Sequence, residues 1–169
     1  MDDIPLWALF GVLVLLLALS GFFSSSETGL MSLNRYRLRH LSRLGHRSAQ
    51  RAARLLERPE QLIGLILLGN NFVNVLASSL VTVIALRIGG EGAIAVGAGI
   101  LTLVILIFSE VTPKTLAALH PERIAFPASW ILGPMLRLLY PVVWLVNGLT
   151  NLLLRPLGVS TSGDADDRR

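Results

Sequence analysis

Residues 4–29 read I-P-L-W-A-L-F-G-V-L-V-L-L-L-A-L-S-G-F-F-S-S-S-E-T-G. Twenty residues without a charge end in three hydroxyls and a carboxylate. As a helix, twenty apolar residues cross about 30 Å of hydrocarbon. A cleaved signal peptide needs a positive flank and a small-residue cleavage site. Here Asp2 and Asp3 precede the run and no A-x-A follows it, so the stretch predicts a retained span with oxygen-rich chemistry at its far end.

The rest of the chain agrees with a membrane setting. Of 169 residues, 53% are apolar and only 15% charged, with a mean hydropathy of +0.64. Soluble domains carry about 25% charged residues. An all-α membrane protein is the expected fold class. There is no cysteine, which excludes disulfides, thiolate metal sites and Cys nucleophiles. His40, His46 and His120 lack the spacing of a ligand pair, so no zinc or iron site is expected.

A second uncharged run, 62–86, contains Asn70, Asn71 and Asn74; a third covers 93–109, after the tight R-I-G-G-E connection at 87–91. Segment 124–154 carries Pro127, Pro134 and Pro141 at seven-residue intervals, with Arg137, Trp130, Tyr140 and Trp144. That pattern fits kinked helices at the membrane surface better than a clean span, with a fourth span the alternative. The prediction is three transmembrane helices with broken or kinked segments, at about 4–26, 62–86 and 93–110. Juxtamembrane helices follow at about 35–58 and 121–155, all within a domain 1–158. The tail 159–169 is polar and expected to be disordered.

Charge sets the orientation. Arg35, Arg37, Arg39, Arg43, Arg47, Arg51, Arg54 and Arg58 fall between the first two spans and belong on the cytoplasmic side. The N-terminus is then outside and the C-terminus cytoplasmic. Of 15 basic residues, only Arg87 lies on the outer side of this topology. Arg35, Arg39, Arg43, Arg47 and Arg51 recur every four residues, with Leu38, Leu41, Leu44, Leu55 and Leu56 as an apolar side and a possible break at Gly45. Like charges at this spacing repel, so an anionic partner is expected to face the row: lipid headgroups of the bilayer, or an acidic or nucleotide-carrying cytoplasmic partner. Nucleic acid is not expected against a membrane.

Polar groups at membrane depth are functional hypotheses when ionisable and packing glue when not. Three clusters stand out: Ser24, Ser25, Ser26, Glu27 and Thr28; Asn70, Asn71 and Asn74, with Ser78 and Ser79 beyond; and Ser109, Glu110, Thr112, Pro113 and Lys114. Asn71, Asn74 and Ser78 share one helical stripe, bordered by Asn70. Pro113 is expected to break the third helix at Thr112 and free carbonyls near Glu110. All the groups are hard oxygen, which suits Mg²⁺, Na⁺ or Ca²⁺. Gly64, Gly69, Gly97 and Gly99 are expected to permit close helix approach.

These residues are familiar as a set. G-F-F-S-S-S-E-T-G-L at 21–30, L-L-G-N-N-F-V-N-V at 67–75 and F-S-E-V-T-P-K-T at 108–115 resemble the transmembrane domain of the CorC/cyclin-M (CNNM) magnesium transporter family, over nearly the whole chain. The resemblance implies a homodimer of three-span subunits in a bacterial inner (plasma) membrane, with an intramembrane Mg²⁺ site made by the three motifs. Carried over by motif, that site falls on Ser24, Asn70 and Glu110, with Ser25 and Asn74 next; Ser26, Glu27 and Asn71 are neighbours within the motifs. The resemblance further implies Mg²⁺ export, coupled to Na⁺ entry. Family members typically continue into cytoplasmic CBS domains that bind ATP. No CBS pair lies within these 169 residues, so either the chain is shortened or the regulatory part is lost, and a full-length form is expected to carry it.

The leading expectation is a secondary Mg²⁺ transporter. The alternative is a membrane-anchored Mg²⁺-binding sensor or scaffold that regulates another transporter. An enzyme is not expected, since no nucleophile, phosphate loop or cofactor motif accompanies the carboxylates.

Overall fold

A computed structural model describes residues 3–158, and every regular element in them is helical. Seven α-helices follow in order: α1 (Leu6–Met31), α2 (Arg35–Arg43), α3 (Arg47–Glu57), α4 (Pro59–Gly89), α5 (Gly92–Val104), α6 (Thr112–Leu119) and α7 (Pro121–Leu154). A π-helical segment, Ile105–Val111, joins α5 to α6, and a 3₁₀ turn, Arg155–Leu157, follows α7. The predicted tail 159–169 lies outside the described residues.

Four helical stretches are long and apolar enough to cross a membrane: Leu6–Met31, Pro59–Gly89, Gly92–Leu119 and Pro121–Leu157. Their outward faces are apolar, with Val14, Val96, Leu103 and Phe108 all exposed, as surfaces in contact with lipid require. The chain is a multi-pass membrane protein.

The first helix is longer than the uncharged run predicted. It continues through Ser24–Ser26 to Met31, so the hydroxyls lie inside the helix and face neighbours instead of ending it. The Ser25 and Ser26 hydroxyls donate back to the Phe22 carbonyl, at 3.1 and 2.6 Å, and are satisfied within the helix.

The expected break at Thr112 is instead a widened turn. The Thr112 N–H donates to the Ile107 carbonyl, an i→i+5 bond, and Thr112 keeps helical geometry at φ −65°, ψ −50°. Pro113 has no N–H to give. The shift of bonding register just before it lets the helix pass the missing donor without stopping.

The predicted juxtamembrane helix 35–58 is two helices. Gly45, at φ +88°, makes the turn between α2 and α3. Asn34 caps α2 by accepting from Tyr36 and Arg37 N–H groups, and His46 Nδ1 caps α3 by accepting from Ala49 N–H at 3.2 Å. Leu38, Ala49, Ala52, Leu55 and Leu56 are buried on the inner side; Leu44, expected among them, is exposed because it stands at the turn. Arg37 pairs with Glu122 at 2.5 Å, and Arg51 lies 3.9 Å over the Trp130 ring, whose Nε1 donates to Ser48 Oγ. Both contacts tie the arginine-rich hairpin to α7.

Helix α7 runs through Pro127, Pro134 and Pro141 without interruption. Prolines seven residues apart lie on nearly one face of the helix. The helix touches α1 at Gly29, through Ile124 and Ala125, and α4 at Gly64, through Val143 and Asn147. Helices α1 and α4 are antiparallel, with Phe23 packed on Gly69. Gly29 lies six residues past Phe23 and Gly64 five before Gly69. At 1.5 Å per residue both contacts sit about 8–9 Å to the same side. Counted along the two helices, α7 meets both on the same side of the Phe23–Gly69 contact.

Candidate cation site

The site is built where α1, α4 and the π segment meet. Gly69 brings the first two together: a Cβ there would stand 2.5 Å from Phe23 Cζ. Gly21 does the same for α1 and the π segment, with the Phe108 carbonyl and Pro113 Cγ against it. Gly97 serves α4 and α5 similarly, whereas Gly99 faces open space and approaches nothing.

On this close-packed frame, Ser20 of α1 is fully buried. Its Oγ lies 2.9 Å from Asn70 Oδ1 and 2.7 Å from Asn74 Oδ1. A hydroxyl has one proton and can serve one acceptor at a time. Both amide oxygens therefore compete for the one hydroxyl proton.

One turn along α1, Ser24 is 1% exposed and its Oγ has no hydrogen-bond partner. An unpartnered buried hydroxyl costs about 1–3 kcal/mol. At 100° per residue, Ser24 lies about 40° from Ser20, which faces α4, and about 60° from Gly21, which faces the π segment. The free oxygen therefore stands on the seam between those two neighbours. Ser109, also fully buried, closes the far side by donating to the Leu17 carbonyl at 2.9 Å. Glu110 follows it, with its carboxylate 3.0 Å from Lys114 Nζ.

The residues expected from the sequence are only partly joined. Asn70 and Asn74 come together. Ser24 stands one turn away on the same face. Ser25 is 100° further round and spends its proton on its own helix. Glu110 lies at the edge of the seam, paired with Lys114, and no hydrogen bond links it to the asparagines among the described residues. Glu27 is half-buried and forms neither an ion pair nor a hydrogen bond among the described residues.

The asparagine stripe also differs from expectation. Asn70 and Asn74, four apart, face α1. Asn71 instead lines a cleft of about 750 Å³ between α4 and α7, with Glu60, Leu67, Trp144 and Asn147, while Ser78 is exposed. The reason is that α1 packs nearest Gly69 and Asn70, which turns Asn71 toward α7.

By sequence, Ser20 is one residue of an apolar run. Its spacing of four from Ser24 and its place beside Gly21 were the available signals.

A family model described as the cyclin M transmembrane N-terminal domain matches residues 11–168. The chain belongs to the CNNM family. It is 51% identical over 143 residues to the UPF0053 inner membrane protein YfjD of Escherichia coli K12, covering 85% of the chain and 33% of that protein. It is 49% identical over 159 residues to a UPF0053 protein of Haemophilus influenzae, covering 94% of the chain and 38% of the relative. A more distant relative, 28% identical over 169 residues with 85% of the chain and 35% of the relative covered, is the polyamine export protein of E. coli K12. The chain thus spans 33 to 38% of the length of these three relatives. What is similar is the membrane-embedded part.

Proposed function

We propose that this CNNM chain is the membrane domain of a secondary transporter that exports Mg²⁺ from the cytoplasm, coupled to Na⁺ entry. The observation that carries the reading is the convergence of Ser20, Asn70 and Asn74 oxygens beside the unpartnered Ser24 hydroxyl. Mg²⁺ takes oxygens octahedrally at 2.0–2.1 Å, which sets neighbouring ligands about 2.8–3.0 Å apart. The Ser20–Asn70 separation of 2.9 Å falls on such an edge, and the Ser20–Asn74 separation of 2.7 Å is slightly shorter. Waters would complete the shell, as Mg²⁺ surrenders its hydration reluctantly. Glu110 supplies the nearby negative charge.

The reading includes three spans, α1, α4 and the continuous 92–119 helix, with α7 lying along the cytoplasmic face. The contacts of α7 at Gly29 and Gly64 support this, as does its attachment to the arginine-rich hairpin. The N-terminus is then outside, the C-terminus cytoplasmic, and the setting the bacterial inner membrane. The functional unit is a homodimer, and the full-length form carries cytoplasmic CBS domains.

A second reading, export of an aliphatic polyamine, draws on the α4–α7 cleft. Its Glu60 carboxylate, Trp144 ring and amides suit an organic ammonium. The chain in liposomes decides between the readings. Mg²⁺ flux that Asn70→Ala abolishes is the expected result. Polyamine flux without Mg²⁺ flux would overturn it in favour of the cleft. Mg²⁺ binding without any flux would leave a sensor or scaffold.

A further inference from the structure

Lys114 is the chain's single lysine; the other 14 of its 15 basic residues are arginine. It sits four residues after Glu110, with Nζ 3.0 Å from Oε2, across Pro113 and next to the π segment. The carboxylate side chain is 26% exposed and the lysine side chain 46%. This is the only ion pair beside the candidate site among the described residues.

We propose that Lys114 is a tethered stand-in for the transported cation: it holds Glu110 when the site is empty and is displaced from it when the cation binds. The inference rests on the cation-site reading. Its physical basis is the need to keep a carboxylate at the inner end of a span from standing bare between transport cycles. A lysine suits this task and an arginine does not. Its ammonium is a compact point charge on a flexible stem, whereas a guanidinium grips both carboxylate oxygens in a rigid fork. The pair is partly exposed and hence weak, so a divalent ion with a stronger field can take the carboxylate from it. On release of the ion, the ammonium, tethered one helical turn away, returns to the carboxylate. The neighbouring arrangement agrees: Ser109 is locked to Leu17 and fixes where Glu110 begins, leaving the side chains of Glu110 and Lys114 as the movable parts.

A single lysine makes the exchange directly readable. The chain in detergent is treated with an amine-acylating reagent, and the Lys114 peptide is quantified by mass with and without Mg²⁺, alongside thermal unfolding of the same samples. Mg²⁺ is expected to raise the Lys114 acylation rate about two- to fivefold, the factor a partly exposed pair allows. Glu110→Gln is expected to be fast without Mg²⁺ and unresponsive to it. Asn70→Ala is expected to keep the slow basal rate and lose the response. A Mg²⁺-dependent rise in thermal stability with no change in acylation would overturn this inference and spare the site. Equal basal rates in Glu110→Gln and the unmodified chain would also overturn it. Absence of any Mg²⁺ effect on stability would remove the cation site itself, and this inference with it.

Discussion

Ser20 Oγ and Asn74 Oδ1 lie 2.7 Å apart between two antiparallel helices, with Asn70 Oδ1 sharing the same hydroxyl. The contact joins residues 54 positions apart and fixes the relative height of α1 and α4. It also places three oxygens where hydrocarbon would otherwise pack.

Replacing Ser20 should therefore have two effects. Ser20→Ala removes the shared hydroxyl and leaves two amides facing each other, at a cost of about 1–3 kcal/mol. The thermal midpoint in detergent should fall, and the stabilisation by Mg²⁺ should disappear. A ligand at a hundred times its Kd stabilises by about 2.7 kcal/mol, so the loss is measurable. A Ser20→Ala chain with a full Mg²⁺ response would place the ion elsewhere.

Adjacent asparagines should behave differently. Asn70→Ala should abolish the Mg²⁺ response, while Asn71→Ala, on the α4–α7 cleft, should leave it within about twofold. Equal losses in both variants would mean that α4 presents another face to α1.

Gly69 tests the helix approach itself. A methyl group there would stand 2.5 Å from the buried Phe23 ring, so Gly69→Ala should cost about 1–3 kcal/mol through overpacking. Adding Phe23→Leu should recover part of the loss. Thermal unfolding of the two single variants and the double variant would measure the coupling, and simple additivity would argue against the contact.

Pro113→Ala probes the π segment. Restoring the N–H removes the reason for the shifted bonding register, and the segment should relax toward a regular α-helix. That turns Ser109 and Glu110 relative to Leu17 and the seam. Helicity by circular dichroism should stay the same or rise, while the Mg²⁺ response weakens. An unchanged Mg²⁺ response would show that the register at Pro113 is not needed.

The placement of α7 is open to labelling, because the chain has no native cysteine. Leu138→Cys and Leu153→Cys, both at exposed positions, should react with membrane-impermeant thiol reagents from the same, cytoplasmic side if α7 lies along that face. Reaction from opposite sides would make α7 a fourth span.

The long uncharged runs determined the helices, because hydrocarbon leaves the backbone no other partner than itself. The polar residues inside the runs marked α1, α4 and the turn before Pro113 as the place of interest, and the arginine count gave a topology that can be tested. Helix position and length follow from composition, which is local. Which side chains meet is not local. Ser20 looked like one more residue of an apolar run until packing at Gly69 and Gly21 turned it toward Asn70 and Asn74. Asn71 looked equivalent to its neighbour until the same packing turned it to α7. Ser24 gained its meaning only as a buried hydroxyl with nothing to bond. Each of these depends on how one helix is rotated against another. A 100° step per residue makes adjacent positions unlike, and only the contacts between helices choose which of them faces the site.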